Sequence, residues 1–243
     1  MSDAIFEFFA PLVRQGPGSR EATLRALAQL GPLPDRPRVA DFGCGSGAAT
    51  RVLAEALPDA RITAIDLSDV LLDRLRANDP DHRITTRQAS MLDPGEPASL
   101  DLAWSEGAIY AVGVEPALRA WAPQLRPRGL AVFSDLVWFE PESTRPREAV
   151  EFWAKEGLTV VDESGMRERI AGLGHRVRFD FRLEAQAWFD YYAAIEARCA
   201  APSSDPAMRE LIAGLEAEIA LWRRFGASYG YAFFGVEIGV ESA

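Results

Sequence analysis

Short apolar runs alternate along the chain with segments of helical spacing, and this pattern predicts strands that alternate with helices. The run at 39–42 is followed by 48–57, where Val52, Leu53 and Leu57 can share one helix face. Strands separated by helices pair in parallel, so the pattern predicts a doubly wound α/β domain. The predicted strands are 39–42, 61–65, 84–89, 100–104, 130–134, 175–183 and 231–240.

The helical segments predict the layers that cover this sheet. Ser19 and Ser68 are well placed as N-caps of the helices that follow them. A phenylalanine-rich stripe at 4–13 either covers a cleft or packs against the core. Two helices, at 185–200 and 206–225, separate the last two strands. The predicted helices are 4–13, 20–30, 48–57, 68–77, 116–125, 166–171, 185–200 and 206–225.

Composition narrows the class of partner and of site. The net charge of −10 argues against a nucleic-acid surface, which needs a basic footprint. Cys44 and Cys199 are too far apart in sequence to suggest a disulfide framework, and two histidines make a metal site improbable. No stretch is long and apolar enough to span a bilayer, and the acidic N-terminus does not resemble a secretory signal. We therefore expect a cytoplasmic protein of one domain, residues 1–243, with N-terminal helices at 1–30.

A glycine-rich turn lies between the strand at 39–42 and the helix at 48–57. Gly43, Gly45 and Gly47 remove alternate side chains around Cys44, so the backbone can turn tightly and approach a ligand. Cys44 reads as a small packing residue rather than a nucleophile. A strand, a glycine turn and a helix in this order form the nucleotide-binding opening of a doubly wound domain.

Two acids distinguish S-adenosylmethionine (SAM) from a dinucleotide as the ligand. Asp66 lies nineteen positions after Gly47, at the end of the second strand, where a carboxylate accepts both ribose hydroxyls. That position suits NAD equally well. Asp41, at the end of the first strand, would repel a pyrophosphate but attract the cationic groups of SAM. The alternative is that Asp41 only caps a local turn.

These residues also resemble a known family. Residues 41–47, Asp-Phe-Gly-Cys-Gly-Ser-Gly, and Ile-Asp-Leu-Ser at 65–68 resemble the class I SAM-dependent methyltransferases. The similarity extends through 15–19, 89–91, 104–110 and 125–129, and is strongest to the small-molecule branch related to the ubiquinone and menaquinone biosynthesis enzymes. The glycine motif is specific to the superfamily, and none of these motifs names a substrate.

The resemblance implies a fold, a cofactor and contacts for it. The expected fold is a Rossmann-like, mostly parallel sheet of seven strands with an antiparallel last strand, and the helices at about 185–226 form a cap inserted before it. SAM is the expected cofactor, with S-adenosylhomocysteine (SAH) as its product and no metal. By resemblance, Gln15 approaches the methionine end, Leu67 follows the ribose acid, and Ser90 and Met91 contact the adenine. Met91 could instead be core filler.

Candidate catalytic groups follow the strands of the sheet. Ligands in open α/β sheets bind beyond the carboxyl ends of the strands, where the strand order reverses. Ser105 and Glu106 end the fourth strand, Tyr110 follows it, and Asp135 ends the fifth strand. Glu106, Tyr110 and Asp135 are therefore candidate bases or positioning groups, and His175 is a more distant one. Glu106 could instead pair with the SAM ammonium, as carboxylates serve in both roles.

Aromatic residues of the cap and of the segment after Asp135 are candidates for the acceptor site. Tyr110, Trp138, Trp188, Tyr191 and Tyr192 could line a pocket for a small molecule. The alternative is that the aromatic residues of the cap only attach the insertion to the sheet. Neither the acceptor, its accepting atom nor the oligomeric state follows from the sequence.

The sequence therefore predicts methyl transfer from SAM to a small molecule, held in line in a closed pocket. Nucleic acid and membrane are not expected partners. Two other functions stay open. An NAD-dependent oxidoreductase is permitted by Asp66 and opposed by Asp41. A non-catalytic module could retain the SAM-binding fold to bind a partner.

Overall fold

Eight strands form one sheet in the residues that the structure, a computed structural model, describes: 7–93, 95–201 and 203–239. Along the sheet the strands follow the order β3-β2-β1-β4-β5-β8-β7, and β6 pairs with β5 outside this path. The strands are β1 (Arg38–Phe42), β2 (Arg61–Asp66), β3 (Ile84–Gln88), β4 (Leu100–Glu106), β5 (Leu125–Trp138), β6 (Val161–Asp162), β7 (Arg176–Arg182) and β8 (Tyr229–Glu237).

Strands β1 to β5 pair with one another in parallel, as the alternation of strands and helices predicts. β8 runs antiparallel to both β5 and β7, which confirms the predicted antiparallel last strand. The strand order reverses between β1 and β4, because the chain first builds outward to β3 and then returns. The carboxyl ends of β1 and β4 therefore border the crevice in which such sheets bind ligands.

The predicted count of seven strands was one too low. The run at 130–134 is only the middle of β5, which continues to Trp138. The extended end of β5 pairs with two residues of β6 at Val137 and Trp138. Position 240, the predicted end of the last strand, lies outside the described residues, as do positions 4–6 of the predicted N-terminal helix, Phe6 included.

The helices cover both faces of the sheet. The helix Val114–Trp121 is shorter than predicted and continues as a 3₁₀ turn, Ala122–Gln124, whereas the helix Arg147–Lys155 was not predicted. Ser19 and Ser68 accept the expected N-cap hydrogen bonds from Ala22 and Leu71. The helices are α1 (Arg20–Gln29), α2 (Ala48–Ala56), α3 (Asp69–Ala77), α4 (Val114–Trp121), α5 (Arg147–Lys155), α6 (Glu163–Gly172), α7 (Ala185–Cys199) and α8 (Pro206–Phe225).

Each sheet face has its own apolar core. Helices α4 and α6 pack on one face, where Trp121 stacks on Phe42 of β1 with ring centroids 4.8 Å apart. Helices α1, α2, α5, α7 and α8 contribute to the core on the other face. The chain between β7 and β8 consists of α7 and α8, in the segment where the sequence predicts two helices; these two helices are called the insertion below. In the part of the chain that the structure describes, no helix meets the length and hydropathy needed to cross a bilayer.

Candidate functional site

The glycine turn after β1 adopts the backbone conformation that its glycines permit. Gly43, Gly45 and Gly47 have φ of +70°, +55° and +81°, a region that L side chains rarely adopt. A Cβ at Gly45 would overlap the side-chain amide of Gln15, and one at Gly43 would overlap Ala108. The turn is therefore closely packed between the segment before α1 and the loop after β4. Gly43, Cys44 and Gly45 line a cavity of about 700 Å³, whereas Gly47 lies outside its wall.

Asp41 is a buried acid at the carboxyl end of β1. It is 1% exposed, and its Oδ2 accepts the Thr50 hydroxyl at 2.6 Å. Burial raises the pKa of Asp41 to about 7, with smaller contributions from the nearby carboxylates of Glu106 and Asp66. Asp41 lines the cavity, so a cation bound there would offset the cost of ionising it. Burial also raises the pKa of the Cys44 thiol well above its usual value, which leaves Cys44 an inert packing residue.

Asp66 is fixed by the backbone on either side of it. Its Oδ2 accepts the Gly45 amide and its Oδ1 accepts the Ser68 amide, both at 2.9 Å. Burial raises the pKa of Asp66, and these amides partly oppose the shift. Each carboxylate oxygen can accept a further hydrogen bond, so the acid can still receive two hydroxyls. Leu67, which follows it, is exposed and lines the same cavity.

The loop after β3 forms the far wall of this half of the cavity. Ser90 and Met91 both line it. The Ser90 hydroxyl accepts the Leu92 amide at 3.1 Å, and the carbonyl of Met91 accepts the Trp121 indole N–H at 3.0 Å. These bonds fix the loop at the end of the sheet next to Asp66, where a flat ring could lie against the Met91 side chain.

Glu106, at the end of β4, accepts three hydrogen bonds. Its Oε1 accepts the Thr23 hydroxyl at 2.7 Å and the Trp104 indole N–H at 3.0 Å. Its Oε2 pairs with the Arg14 guanidinium at 3.1 Å, and both side chains of this ion pair are largely buried. Glu106 and Arg14 also line the cavity. The acid thus attaches the segment before α1 to the sheet.

Gln15 makes a second attachment of that segment, to the glycine turn. Its Oε1 accepts the Ser46 amide at 2.9 Å and the Ser46 hydroxyl at 3.1 Å. Its Nε2 donates to the carbonyls of Leu12, at 3.0 Å, and Phe9, at 3.3 Å. The carbonyl of Gln15 accepts the Tyr191 hydroxyl of α7 at 3.3 Å. The segment before α1 and the helical insertion therefore meet above the glycine turn.

The other half of the cavity is aromatic and acidic. Its wall comes from the loop after β4, from β5, α5 and β8, and from both helices of the insertion. Tyr110 is 46% exposed, yet burial raises its pKa, because its open surface faces the cavity rather than bulk solvent. The residues of this half are Tyr110, Leu136, Trp153, Glu156, Gly157, Leu158, Trp188, Tyr191, Leu215, Glu218 and Tyr231.

Several predicted site residues lie outside the cavity wall. Asp135 lies nearby, and burial raises its pKa to about 7, but it is not part of the wall and its Oδ1 accepts the Leu136 amide at 2.9 Å. Trp138 packs edge-on against Tyr229 in the core. Tyr192 donates its hydroxyl to Glu218 at 2.8 Å from behind the wall. Ser105 is fully buried, and its hydroxyl has no hydrogen-bond partner among the described residues.

The sequence did not indicate Arg14, Trp153, Glu156, Glu218 or Tyr231 as site residues. Glu218 had a signal, since it lies three residues after Leu215 and four before Trp222, within the buried stripe of α8. An acid in an apolar stripe needs a partner or a function. Tyr231 and Trp153 gave no comparable signal, because buried aromatic residues are ordinary in strands and helices.

The described residues contain no group of three or more His, Cys, Asp or Glu arranged to hold a metal ion. The cavity thus combines a glycine turn, two acids at strand ends and a loop beside them in one half, and aromatic rings with further acids in the other. The two halves meet at Glu106 to Val112, after β4.

Comparisons with known proteins agree with the first half of this arrangement. Residues 39–129 match the family model of a methyltransferase domain. The trans-aconitate 2-methyltransferase of Rhodopseudomonas palustris is 37% identical over 86 residues, which are 35% of this chain and 32% of that protein. The enzyme of the same name from Variovorax paradoxus is 31% identical over 101 residues, 42% of this chain and 39% of that protein. The matched segments thus span about a third of these curated relatives.

The whole chain resembles solved structures more fully. A SAM-dependent methyltransferase of Geobacter sulfurreducens, in complex with SAH, superimposes with a TM-score of 0.81 and 18% identity, covering 97% of this chain and 98% of that one. The resemblance to the quinone-biosynthesis branch stays a prediction. Residues 39–129 thus match a methyltransferase domain, and the chain as a whole has the fold of this solved SAM-dependent methyltransferase.

Proposed function

We propose that this protein transfers a methyl group from SAM to a small-molecule acceptor. The observation that carries the proposal is the pair of acids at the ends of β1 and β2, Asp41 and Asp66, on either side of the glycine turn within one cavity. A buried carboxylate at Asp41 favours a cationic ligand and opposes a pyrophosphate, which argues against NAD.

The residues of this half fit SAM in chemistry and in order. Asp66 would accept the ribose hydroxyls, and Ser90 and Met91 would bound the adenine. Asp41 would face the cationic end of SAM. Arg14, which also lines the cavity, would be the cation for the carboxylate of SAM. The left-handed backbone at Gly43 and Gly45 keeps side chains out of the space between these groups.

When bound, SAM supplies an electrophilic methyl group whose leaving group is a neutral thioether. The chain's own residues must hold the acceptor in line with that methyl and exclude water. Proximity and orientation of this kind can supply about 7–11 kcal/mol of the barrier. The segment before α1 and the insertion close the cavity from above through the contact of Tyr191 with Gln15, and we propose that they form its cap.

We assign Glu106 a positioning role rather than that of a base. Three donors already occupy its oxygens, and one of them is the Arg14 cation. Asp135 is not among the residues that line the cavity, so we do not assign it a contact with the acceptor. Tyr110 and Tyr231 remain as groups that can contact an acceptor near the end of β4. Tyr231 lies close to Gly107, where its ring would lie 3.2 Å from an added Cβ.

Calorimetric titration with SAM, SAH and NAD tests the proposal. We expect micromolar binding of SAM and SAH and none of NAD. Asp66→Ala should weaken SAM binding at least tenfold, because it loses hydrogen bonds of a charged acceptor. Asp59→Ala removes an exposed acid from the same half of the sheet and serves as the matched control. Absence of SAM binding, in protein shown to be free of co-purified SAH, would refute the proposal.

A further inference from the structure

The half of the cavity away from the glycine turn contains an acid for which the cofactor offers no partner. Glu218, on α8, lines the cavity, and its Oε1 accepts the Tyr192 hydroxyl at 2.8 Å. Burial raises the pKa of Glu218, the Tyr192 hydroxyl partly opposes this shift, and the like charge of Glu156 adds to it. No described Arg or Lys forms an ion pair with Glu218. The carboxylate therefore lies half-buried in the cavity wall without a counter-ion among the described residues, and a cationic ligand could supply one.

The surroundings of Glu218 are aromatic rings. Tyr110, Trp153, Trp188, Tyr191 and Tyr231 all line this half of the cavity. The faces of such rings attract cations, and Trp attracts them most strongly. A carboxylate among aromatic faces is the combination that binds an ammonium group. A carboxylate ligand would find no cation to pair with among the described residues of this half.

Charge across the whole wall points the same way. The acids of the wall are Asp41, Asp66, Glu106, Glu156 and Glu218, and its one basic residue among the described positions is Arg14. Arg14 is already paired with Glu106. An anionic acceptor would meet like charges and no free cation on the Glu218 side, which disfavours it strongly in a low-dielectric site.

Trp153 is fixed in this wall by the core behind it. Its ring packs edge-on against that of Tyr229, at 5.5 Å between centroids, and its buried indole N–H lies beside the Tyr229 hydroxyl. The ring therefore presents apolar and aromatic surface, but not its N–H, to the cavity.

We propose that the methyl acceptor is a small amine-bearing molecule whose ammonium group serves as a binding group, held by Glu218 among these aromatic rings. This inference rests on the proposed methyltransferase function and names the substrate class of that site. It differs from the carboxylate that names the trans-aconitate relatives, whose similarity to this chain covers about a third of their length. The insertion that carries Glu218 lies outside residues 39–129 of the family match.

Binding of charge-matched probes to the SAH-saturated protein tests the proposal without requiring turnover. The probes are 2-phenylethylamine, ethanolamine and N-methylated forms of each, set against phenylacetate and trans-aconitate, and binding is followed by tryptophan fluorescence and calorimetry. We expect at least one amine to bind at least tenfold more tightly than either carboxylate. Glu218→Gln should weaken that binding at least tenfold and leave SAH binding unchanged.

Glu216→Gln is the matched control, because Glu216 is an exposed acid two positions earlier on α8. Tighter binding of a carboxylate than of every amine, or amine binding that is unchanged in Glu218→Gln, would overturn the amine assignment. In either case normal SAH binding would leave the methyltransferase proposal standing. Absence of SAH binding in the wild-type protein would instead refute the methyltransferase proposal, and the amine assignment with it.

Discussion

Ionisation of Asp41 favours the binding of a cationic ligand but lowers the free energy of unfolding of the ligand-free protein. The pKa of Asp41 lies at about 7 in the folded protein, against an ordinary value of 3.8. Between these values the folded state holds the proton more tightly than the unfolded state does. The free energy of unfolding therefore falls as the pH rises through this window, and the full cost is present above about pH 7. A bound cation reverses this cost, so we interpret Asp41 as an acid retained for its ligand.

Asp41→Asn should separate the two effects. At pH 8 we expect the ligand-free variant to be about 1–3 kcal/mol more stable than wild type. This is less than the roughly 4 kcal/mol that the pKa difference sets as an upper bound, because the amide itself needs hydrogen bonds. We expect SAM binding to weaken at least tenfold. Urea unfolding and calorimetry measure the two quantities.

The pH dependence of SAM binding provides the control for this variant. Between pH 5.5 and 7, below the pKa of about 7.7–8.0 of a free α-amino group, wild-type affinity should rise with pH as Asp41 ionises. The affinity of Asp41→Asn should stay flat over this range. A variant that binds SAM as tightly as wild type would show that the acid only caps a turn.

At the scale of the element, Glu106 links β4 to the segment before α1. One carboxylate oxygen of Glu106 accepts hydrogen bonds from the Thr23 hydroxyl and the Trp104 indole N–H, and the other accepts one from the Arg14 guanidinium. The ion pair is largely buried, so breaking one side of it leaves the other charge without a partner. The acid therefore contributes to the site mainly by fixing the segment that carries Gln15.

Glu106→Gln tests this role against base catalysis. The amide keeps one acceptor oxygen but presents donors to Arg14, so we expect the KM for SAM to rise about tenfold with kcat within about threefold of wild type. Arg14→Met breaks the same ion pair from the other side and should give a similar change. Loss of a catalytic base would instead lower kcat by about 10²–10⁴. It would also remove the rise of kcat with pH that ionisation of the base produces.

The regular elements were predictable where local signals agree with the fold. The strands β1 to β4 and the helices capped by Ser19 and Ser68 follow from apolar runs, glycines and caps. Helix α5 and β6 were not predicted. Pro146 at the N-cap leaves α5 without a capping side chain, and β6 exists only because the end of β5 offers it a partner at Val137 and Trp138. Such pairing depends on distant residues, which local patterns do not report.

At the scale of the molecule, the cavity joins two structures with different sequence signals. The half of the cavity around the glycine turn, here called the cofactor half, is built from strand ends and that turn. Asp41, Asp66 and the glycines could therefore be located from spacing alone. The half of the cavity away from the glycine turn, which we propose holds the acceptor and here call the acceptor half, is assembled from β5, α5, β8 and the insertion. These elements are far apart in sequence. Trp138 and Trp188 were both predicted to line the acceptor site, yet only Trp188 reaches the cavity. Which ring reaches it is decided by packing across the molecule.

The insertion and the N-terminal segment are joined over the glycine turn by a hydrogen bond, and also by the Arg198 guanidinium of α7, which lies over the Phe8 ring at 5.1 Å. Tyr191 of α7 donates to the carbonyl of Gln15, and Gln15 in turn holds Ser46 beside the turn. A cofactor at the turn should therefore stabilise the insertion from a distance, since it favours the closed arrangement of all three parts. We predict that the Tyr191 bond carries most of this coupling, and it can be removed without changing a residue of the glycine turn.

Hydrogen exchange with and without SAH measures this coupling. In the wild type we expect SAH to slow amide exchange in α7 as well as in the glycine turn, because closure reduces local opening. Tyr191→Phe should keep the SAH affinity within about threefold and the protection of the turn, but lose most of the added protection in α7. Tyr110→Phe removes a hydroxyl from the same cavity without this bond and should behave as wild type. Equal protection of α7 in Tyr191→Phe and wild type would mean that the insertion closes independently of the cofactor half, and that acceptor binding alone controls its position.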